Sequence, residues 1–212
     1  MNVSSAKENI LKKIRKALTQ STPLPFPKSE GTGSVFKPSV QELEIEFAEQ
    51  FGNLQGRFVF CLNYNEVVKH LREVLSANKW TKVFCKESEL GQQLKNAGFT
   101  DFHAADLEGC DAAITGCEFL VARTGSIVMS SAQQSGRTVS VYAPVHICIA
   151  HSNQLIYDIR NGIEKMKEKY GSNIPSMITF ASGPSRTADI EKTLVVGVHG
   201  PKEVFVFLVD EI

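Results

Sequence analysis

The chain has 212 residues, 42% hydrophobic and 22% charged, with 23 basic side chains balanced by 23 acidic ones. That is enough chain for one large domain with a real core, or two small ones, and the composition is ordinary for a globular protein. The balanced charge supplies no global field toward nucleic acid or an anionic membrane, so no nucleic-acid partner is expected.

Residues 3–18 read as an amphipathic helix. Ile10, Leu11, Ile14 and Leu18 fall at helical spacing and Lys and Arg fill the other face. Such a helix suits packing on the domain or on a neighbouring subunit, and a homo-oligomer is compatible with it. The apolar face is short and lacks an aromatic anchor, which disfavours a membrane-surface role. No apolar run marks a secretory signal or reaches the length of a membrane span, so the expected compartment is the cytoplasm. Residues 19–39 hold Pro23, Pro25, Pro27, Pro38, Gly31 and Gly33 among hydroxyls, the composition of an extended linker. The chain thus divides into an N-terminal helix-and-linker arm, 1–38, and an α/β domain, 39–212.

From there helices and strands alternate. Helices are expected over Val40–Phe51, Asn65–Ala77 and Ser88–Ala97, and strands over Gly56–Leu62 and Lys82–Cys85. This βαβ texture predicts a parallel sheet with helices on its faces. Shorter strand-like pieces follow at Ala112–Thr115, Glu118–Ala122, Ser126–Ser130, Thr138–Tyr142 and His146–His151. A helix is expected over Asp158–Tyr170, then a buried strand at Met177–Ala181. The last strand, Val204–Val209, is apolar at every position and should be central.

The five cysteines, Cys61, Cys85, Cys110, Cys117 and Cys148, form no C-x-x-C pair. The odd count and scattered spacing argue against a disulfide framework and against a structural zinc or iron–sulfur site on this chain.

The chemistry-bearing residues fall in three places. The run Ala181-Ser-Gly-Pro-Ser-Arg-Thr-Ala-Asp-Ile-Glu191 leaves a strand and turns at Gly183 and Pro184. Ser182, Ser185 and Thr187 offer hydroxyls, Arg186 offers a guanidinium, and Thr187 could cap a short helical turn. One reading is a site for a small anion such as phosphate or carboxylate. The other is a turn pinned by Arg186 with Asp189 or Glu191. In Gly197-Val-His-Gly-Pro201, His199 is a candidate acid–base group or a structural hydrogen-bond partner. The third place comprises Arg123, Thr124, Ser126, Arg137 and His146, polar residues beside strand ends, where open α/β sheets bind ligands. The alternative there is a pair of hairpins with polar turns facing water. No Walker A, G-x-S-x-G or H-E-x-x-H motif is present.

The runs Thr124-Gly-Ser-Ile-Val128 with Ala143-Pro-Val-His-Ile147, and Ser182-Gly-Pro-Ser-Arg-Thr-Ala-Asp-Ile-Glu191 with Gly197-Val-His-Gly-Pro201, resemble the LUD-domain family. The resemblance is strongest to its lactate utilization protein C branch. It implies an α/β fold like that of the NagB/RpiA/CoA-transferase group. It implies a role as an accessory subunit in oxidising L-lactate to pyruvate with two iron–sulfur partner proteins. On that implication this chain carries no cofactor, and the clusters belong to the partners. Members of the family often carry Glu before the Thr-Gly turn, where this chain has Arg123. That departure weakens a carboxylate-based mechanism there and favours anion binding. Fold analogy alone offers a different class of function, a stand-alone enzyme acting on a phosphorylated sugar or an acyl-CoA.

Overall fold

The computed structural model describes residues 5–19, 38–39, 41–187 and 195–210. Backbone packing divides the chain into Met1–Pro38 and Ser39–Ile212. In the first unit the described element is helix α1, Ser5–Leu18, with acidic Glu8 in its first turn and basic Arg15 and Lys16 in its last, each matched to the helix dipole.

The second unit opens with α2 (Leu43–Asn53), β1 (Arg57–Cys61), α3 (Tyr64–Asn78), β2 (Val83–Cys85) and α4 (Ser88–Asn96). It continues with β3 (Ala112–Thr115), β4 (Phe119–Val121), β5 (Ser126–Ser130), the single-turn α5 (Val139–Tyr142) and β6 (Val145–His151). Last come β7 (Leu155–Ile156), α6 (Ile159–Tyr170), β8 (Ile178–Ala181), β9 (Arg186–Thr187), β10 (Val195–Val196) and β11 (Glu203–Val209). Local chemistry starts these helices. Asn63 Oδ1 accepts the backbone N–H groups of Asn65 and Glu66 to cap α3, and Asp158 with Asn161 forms a capping box on α6.

Five strands make one parallel sheet in the order β1-β11-β6-β3-β2. Side chains alternate across a strand, so β11 sends Phe205, Phe207 and Val209 to one face and Val204, Val206 and Leu208 to the other. The first set packs with Val67, Leu71 and Leu75 of α3 and Leu90 and Leu94 of α4. The second packs against Phe47 and Phe51 of α2 and Leu120, Ile127 and Met129 of a second sheet. That sheet has the order β7-β4-β5-β8. Its outer residues Val121, Val128 and Ile156 meet Ile159 of α6. The layers therefore run helices, parallel sheet, mixed sheet with α2, and α6. The final strand is central, as its uniform apolarity predicts, and its Val204–Val209 side chains are all buried.

Three local expectations give way. Thr138–Tyr142 is a helical turn rather than a strand: the Thr138 carbonyl accepts the N–H groups of both Val141 and Tyr142, and only Val139 faces a core. The Met177–Ala181 strand starts at Ile178 and is half-buried, because β8 sits at the edge of the second sheet. Thr187 caps no helix; it belongs to β9, which pairs antiparallel with β10. Residues 188–194 between them, including Asp189 and Glu191, and most of the 19–39 linker lie outside the described residues.

The joint between α2 and the second sheet depends on Gly125. It adopts φ +55°, and a Cβ there would lie 2.6 Å from the Phe51 backbone nitrogen. Gly125→Ala is expected to destabilise the domain by at least about 2 kcal/mol, from positive-φ strain and the enforced shift of α2. Urea unfolding of the purified chain measures it; an unchanged midpoint would show that α2 moves freely.

Candidate functional site

Among the cavities formed by the described residues, two lie at opposite ends of the parallel sheet and gather polar groups. The smaller, about 260 Å³, sits at the amino ends of β6 and β11. Two sequence-distant runs meet to form it. The Ser185 N–H donates to the Pro201 carbonyl at 2.9 Å, and the Gly197 N–H donates to the Ser185 carbonyl at 2.9 Å. Ser182, Gly183, Ser185, His199 and His146 thereby line one space, with the hydroxyl residues Ser140 and Thr179. No carboxylate is among the described lining residues.

His146 is 1% exposed. Its Nε2 lies 2.8 Å from Thr115 Oγ1, which donates its own proton to the Gly116 carbonyl at 2.9 Å. Thr115 therefore accepts from His146, which places the imidazole proton on Nε2 and leaves a lone pair on Nδ1. Burial pushes the His146 pKa down to about 4, so the ring is neutral at pH 7.

The remaining sequence candidates stand around this space in different ways. Ser126 Oγ is 2.6 Å from Ser182 Oγ and 2.8 Å from Thr124 Oγ1, a chain of three hydroxyls leading away from the cavity. Arg123 Nε donates to Asp158 Oδ2 at 2.6 Å, tying the turn before β5 to the start of α6. The Asp158 carboxyl is held below its ordinary range by the Arg160 backbone N–H and by Arg123. Arg137 donates to Ser176 Oγ at 2.5 Å on the surface. Arg186 is exposed, and its Nη2 donates to the Leu54 carbonyl; Thr187 pairs with Val195.

The larger cavity, about 450 Å³, lies beyond the carboxyl ends of the parallel strands. Four of the five strand ends contribute side chains: Tyr64 after β1, Glu87 and Glu89 after β2, Glu118 after β3, and His151 at the end of β6. Lys169 and Tyr170 enter from the end of α6. The Glu118 side chain is 1% exposed and accepts from Ser130 Oγ at 2.6 Å, Tyr170 Oη at 2.7 Å and Lys169 Nζ at 2.7 Å. Burial works against its charge. The hydrogen bonds from Lys169, Ser130 and Tyr170 outweigh that and hold its carboxyl below the ordinary range.

Opposite, the His151 side chain accepts the Gln154 backbone N–H, and its Nε2 is 3.1 Å from Tyr64 Oη. Tyr64 Oη donates to Gln93 Oε1 at 2.9 Å. The bonds run in one direction and put the His151 proton on Nε2. Cys117 lines the same cavity, and Cys148 lies buried behind it. The contact with Cys117, together with burial, raises the Cys148 thiol well above its ordinary value.

Sequence reasoning missed this second constellation. Glu87, Glu118, His151 and Lys169 are spread over 83 positions with no motif spacing. The one local signal was the placement of Glu87 and Glu118 just after apolar strand runs.

A model of the LUD domain matches residues 46–209. The chain belongs to the LUD-domain family. It is 36% identical to lactate utilization protein C of Deinococcus radiodurans over 106 residues, 50% of this chain and 49% of that one. It is 33% identical to the Bacillus subtilis protein of the same name, over 49% of this chain and 44% of that one. The match thus spans about half the length of these relatives. An uncharacterized protein of Neisseria meningitidis is 27% identical over 97% of this chain and 94% of its own. The crystal structure of a DUF162 family protein from Deinococcus radiodurans superposes with a TM-score of 0.60 at 18% identity. It covers 79% of this chain and 96% of that one, a likeness of fold. The parallel sheet flanked by helices accords with the NagB/RpiA-like architecture that the sequence resemblance implies.

His146 generates a pH prediction. Its folded pKa of about 4 lies below the ordinary 6.5, so the unfolded chain binds more protons between those values. The stability it supports is complete above pH 6.5 and declines as pH falls toward 4, by roughly 3 kcal/mol in total. Denaturation midpoints measured across that range should fall steeply in the native chain and less steeply in His146→Gln. Parallel curves would remove the burial argument.

Proposed function

We propose that this chain is an accessory subunit of a cytoplasmic lactate-oxidising system and binds a small 2-hydroxy carboxylate or related anion in the amino-end cavity. What carries the reading is the chemical make-up of that cavity. Four hydroxyl residues and His199 can donate toward a carboxylate, His146 Nδ1 can accept from a hydroxyl, and no acid among the described lining residues opposes the charge. The ligand set is Ser182, Ser185, His146 and His199, with Gly183 shaping the turn. Arg186 is engaged by Leu54 and stands outside the set.

Kinship supports the lactate part, since several relatives bear the name lactate utilization protein C. No helix among the described residues is long and apolar enough to cross a membrane. In this reading the electrons leave through iron–sulfur clusters on two partner proteins, and this subunit binds and positions.

The test combines binding and growth. Ser185→Ala and His199→Ala should each weaken L-lactate binding to the purified chain by about tenfold, as expected for a lost hydrogen bond to a charged ligand. In the native host they should slow growth on lactate at unchanged protein abundance. Arg186→Ala should do neither. Normal growth and binding in both cavity variants would reject this site.

A further inference from the structure

We propose that the amino-end cavity takes a 2-hydroxy acid in preference to the corresponding 2-oxo acid, and that Thr115 sets this preference as a positioning residue by holding the His146 ring with a lone pair toward the guest. The inference rests on the reading of that cavity as a carboxylate site and adds which oxidation state of the acid it accepts. Thr115 acts from behind: it is fully buried and is not among the described lining residues.

Strand register creates the pair. Between β3 and β6, Ala113 lies opposite His146 and Thr115 opposite Cys148. Residues two apart on a strand share a face, so Thr115 and His146 are diagonal neighbours on the face that Cys148 turns to the second sheet. The single hydroxyl proton of Thr115 goes to the Gly116 carbonyl at 2.9 Å. Toward His146 Nε2, at 2.8 Å, the hydroxyl can then only accept. The other ring nitrogen is open. Nδ1 has no hydrogen-bond partner among the described residues, and it is not one of their sealed unpartnered atoms, which are Glu87 Oε1 and Glu203 Oε2. What it meets is the cavity that His146 lines.

A fixed acceptor in the wall sorts ligands by whether they bring a hydrogen. A 2-hydroxy acid gives its O–H to Nδ1. A 2-oxo acid sets a carbonyl lone pair against the nitrogen lone pair and leaves the acceptor unsatisfied. The carboxylate is common to both acids, so Ser182, Ser185 and His199 serve either one. The wall hydroxyls also rotate and can donate or accept, so they tolerate either oxygen, whereas the locked ring does not. Burial keeps that ring neutral at pH 7, so it does not gain a second proton to donate. A site built to hydrogen-bond a hydroxyl discriminates strongly against the analogue that lacks it.

L-Lactate and pyruvate are the probe pair, in calorimetric titrations of the full chain at pH 7. Native protein should bind L-lactate roughly 10- to 100-fold more tightly than pyruvate. Nitrogen NMR of the ligand-free chain, with the His146 signals assigned by their loss in His146→Gln, should show Nδ1 without a proton. Thr115→Val removes the acceptor behind the ring and frees the proton to move to Nδ1. It should weaken lactate binding and strengthen pyruvate binding, a gain that general damage to the fold would not produce. Thr115→Ser should keep the native preference and the native ring signals. Equal binding of the two acids by the native chain overturns the inference and leaves the carboxylate reading intact, whereas binding of neither acid overturns both. A proton found on Nδ1 of the native ring overturns it whether or not Thr115→Val folds, as does a preference unchanged in that variant.

Discussion

The structure depends on burying the two central parallel strands, β6 and β11, on both faces. β11 presents phenylalanines to the helices and Val204, Val206 and Leu208 to the second sheet, and β6 is treated the same way through Ile147 and Ile149 on one side and Cys148 and Ala150 on the other. Each fully buried large apolar side chain contributes on the order of 1.5–3 kcal/mol of transfer free energy. Neither face can then be opened to a ligand without exposing that core. The space for chemistry is confined to the two ends of the strands, and a cavity lies at each.

The ends differ because different connections supply them. At the amino end the lining comes from loops rich in Gly, Pro and Ser, which offer hydroxyls and backbone but no acid. At the carboxyl end the segments leaving β2 and β3 carry Glu87 and Glu118, and β6 ends in His151. Glu118 is compensated by Lys169, and Arg123 by Asp158, so both act as fasteners between elements. A pair at 2.6 or 2.7 Å with one member largely buried fixes geometry better than it adds net stability.

The likeness to lactate utilization protein C covers about half of each chain, and family membership rests on the domain match over residues 46–209. Both cavities lie within that span.

Much of the architecture was legible in linear order. The apolar periods located α3, α4, α6 and the strands β3, β5 and β11 to within a residue or so, because burial on one face or on both writes itself into spacing. Ser182, Ser185 and His199 were also recognisable, since glycine and proline with hydroxyls announce a turn near a strand end. Thr138–Tyr142 read wrongly because its alternating β-branched residues mimic a strand while short-range hydrogen bonds to Thr138 close a helical turn. Apolar periodicity and turn chemistry, both local properties, suffice to state the class of fold and to mark loops with chemical potential. Which polar groups meet was settled by strand order and crossover connections. Those bring Glu87 to Gly116 and His146 to Thr115, and they alone set burial, proton position and uncompensated charge, because electrostatics depends on distance in space and not on separation along the chain.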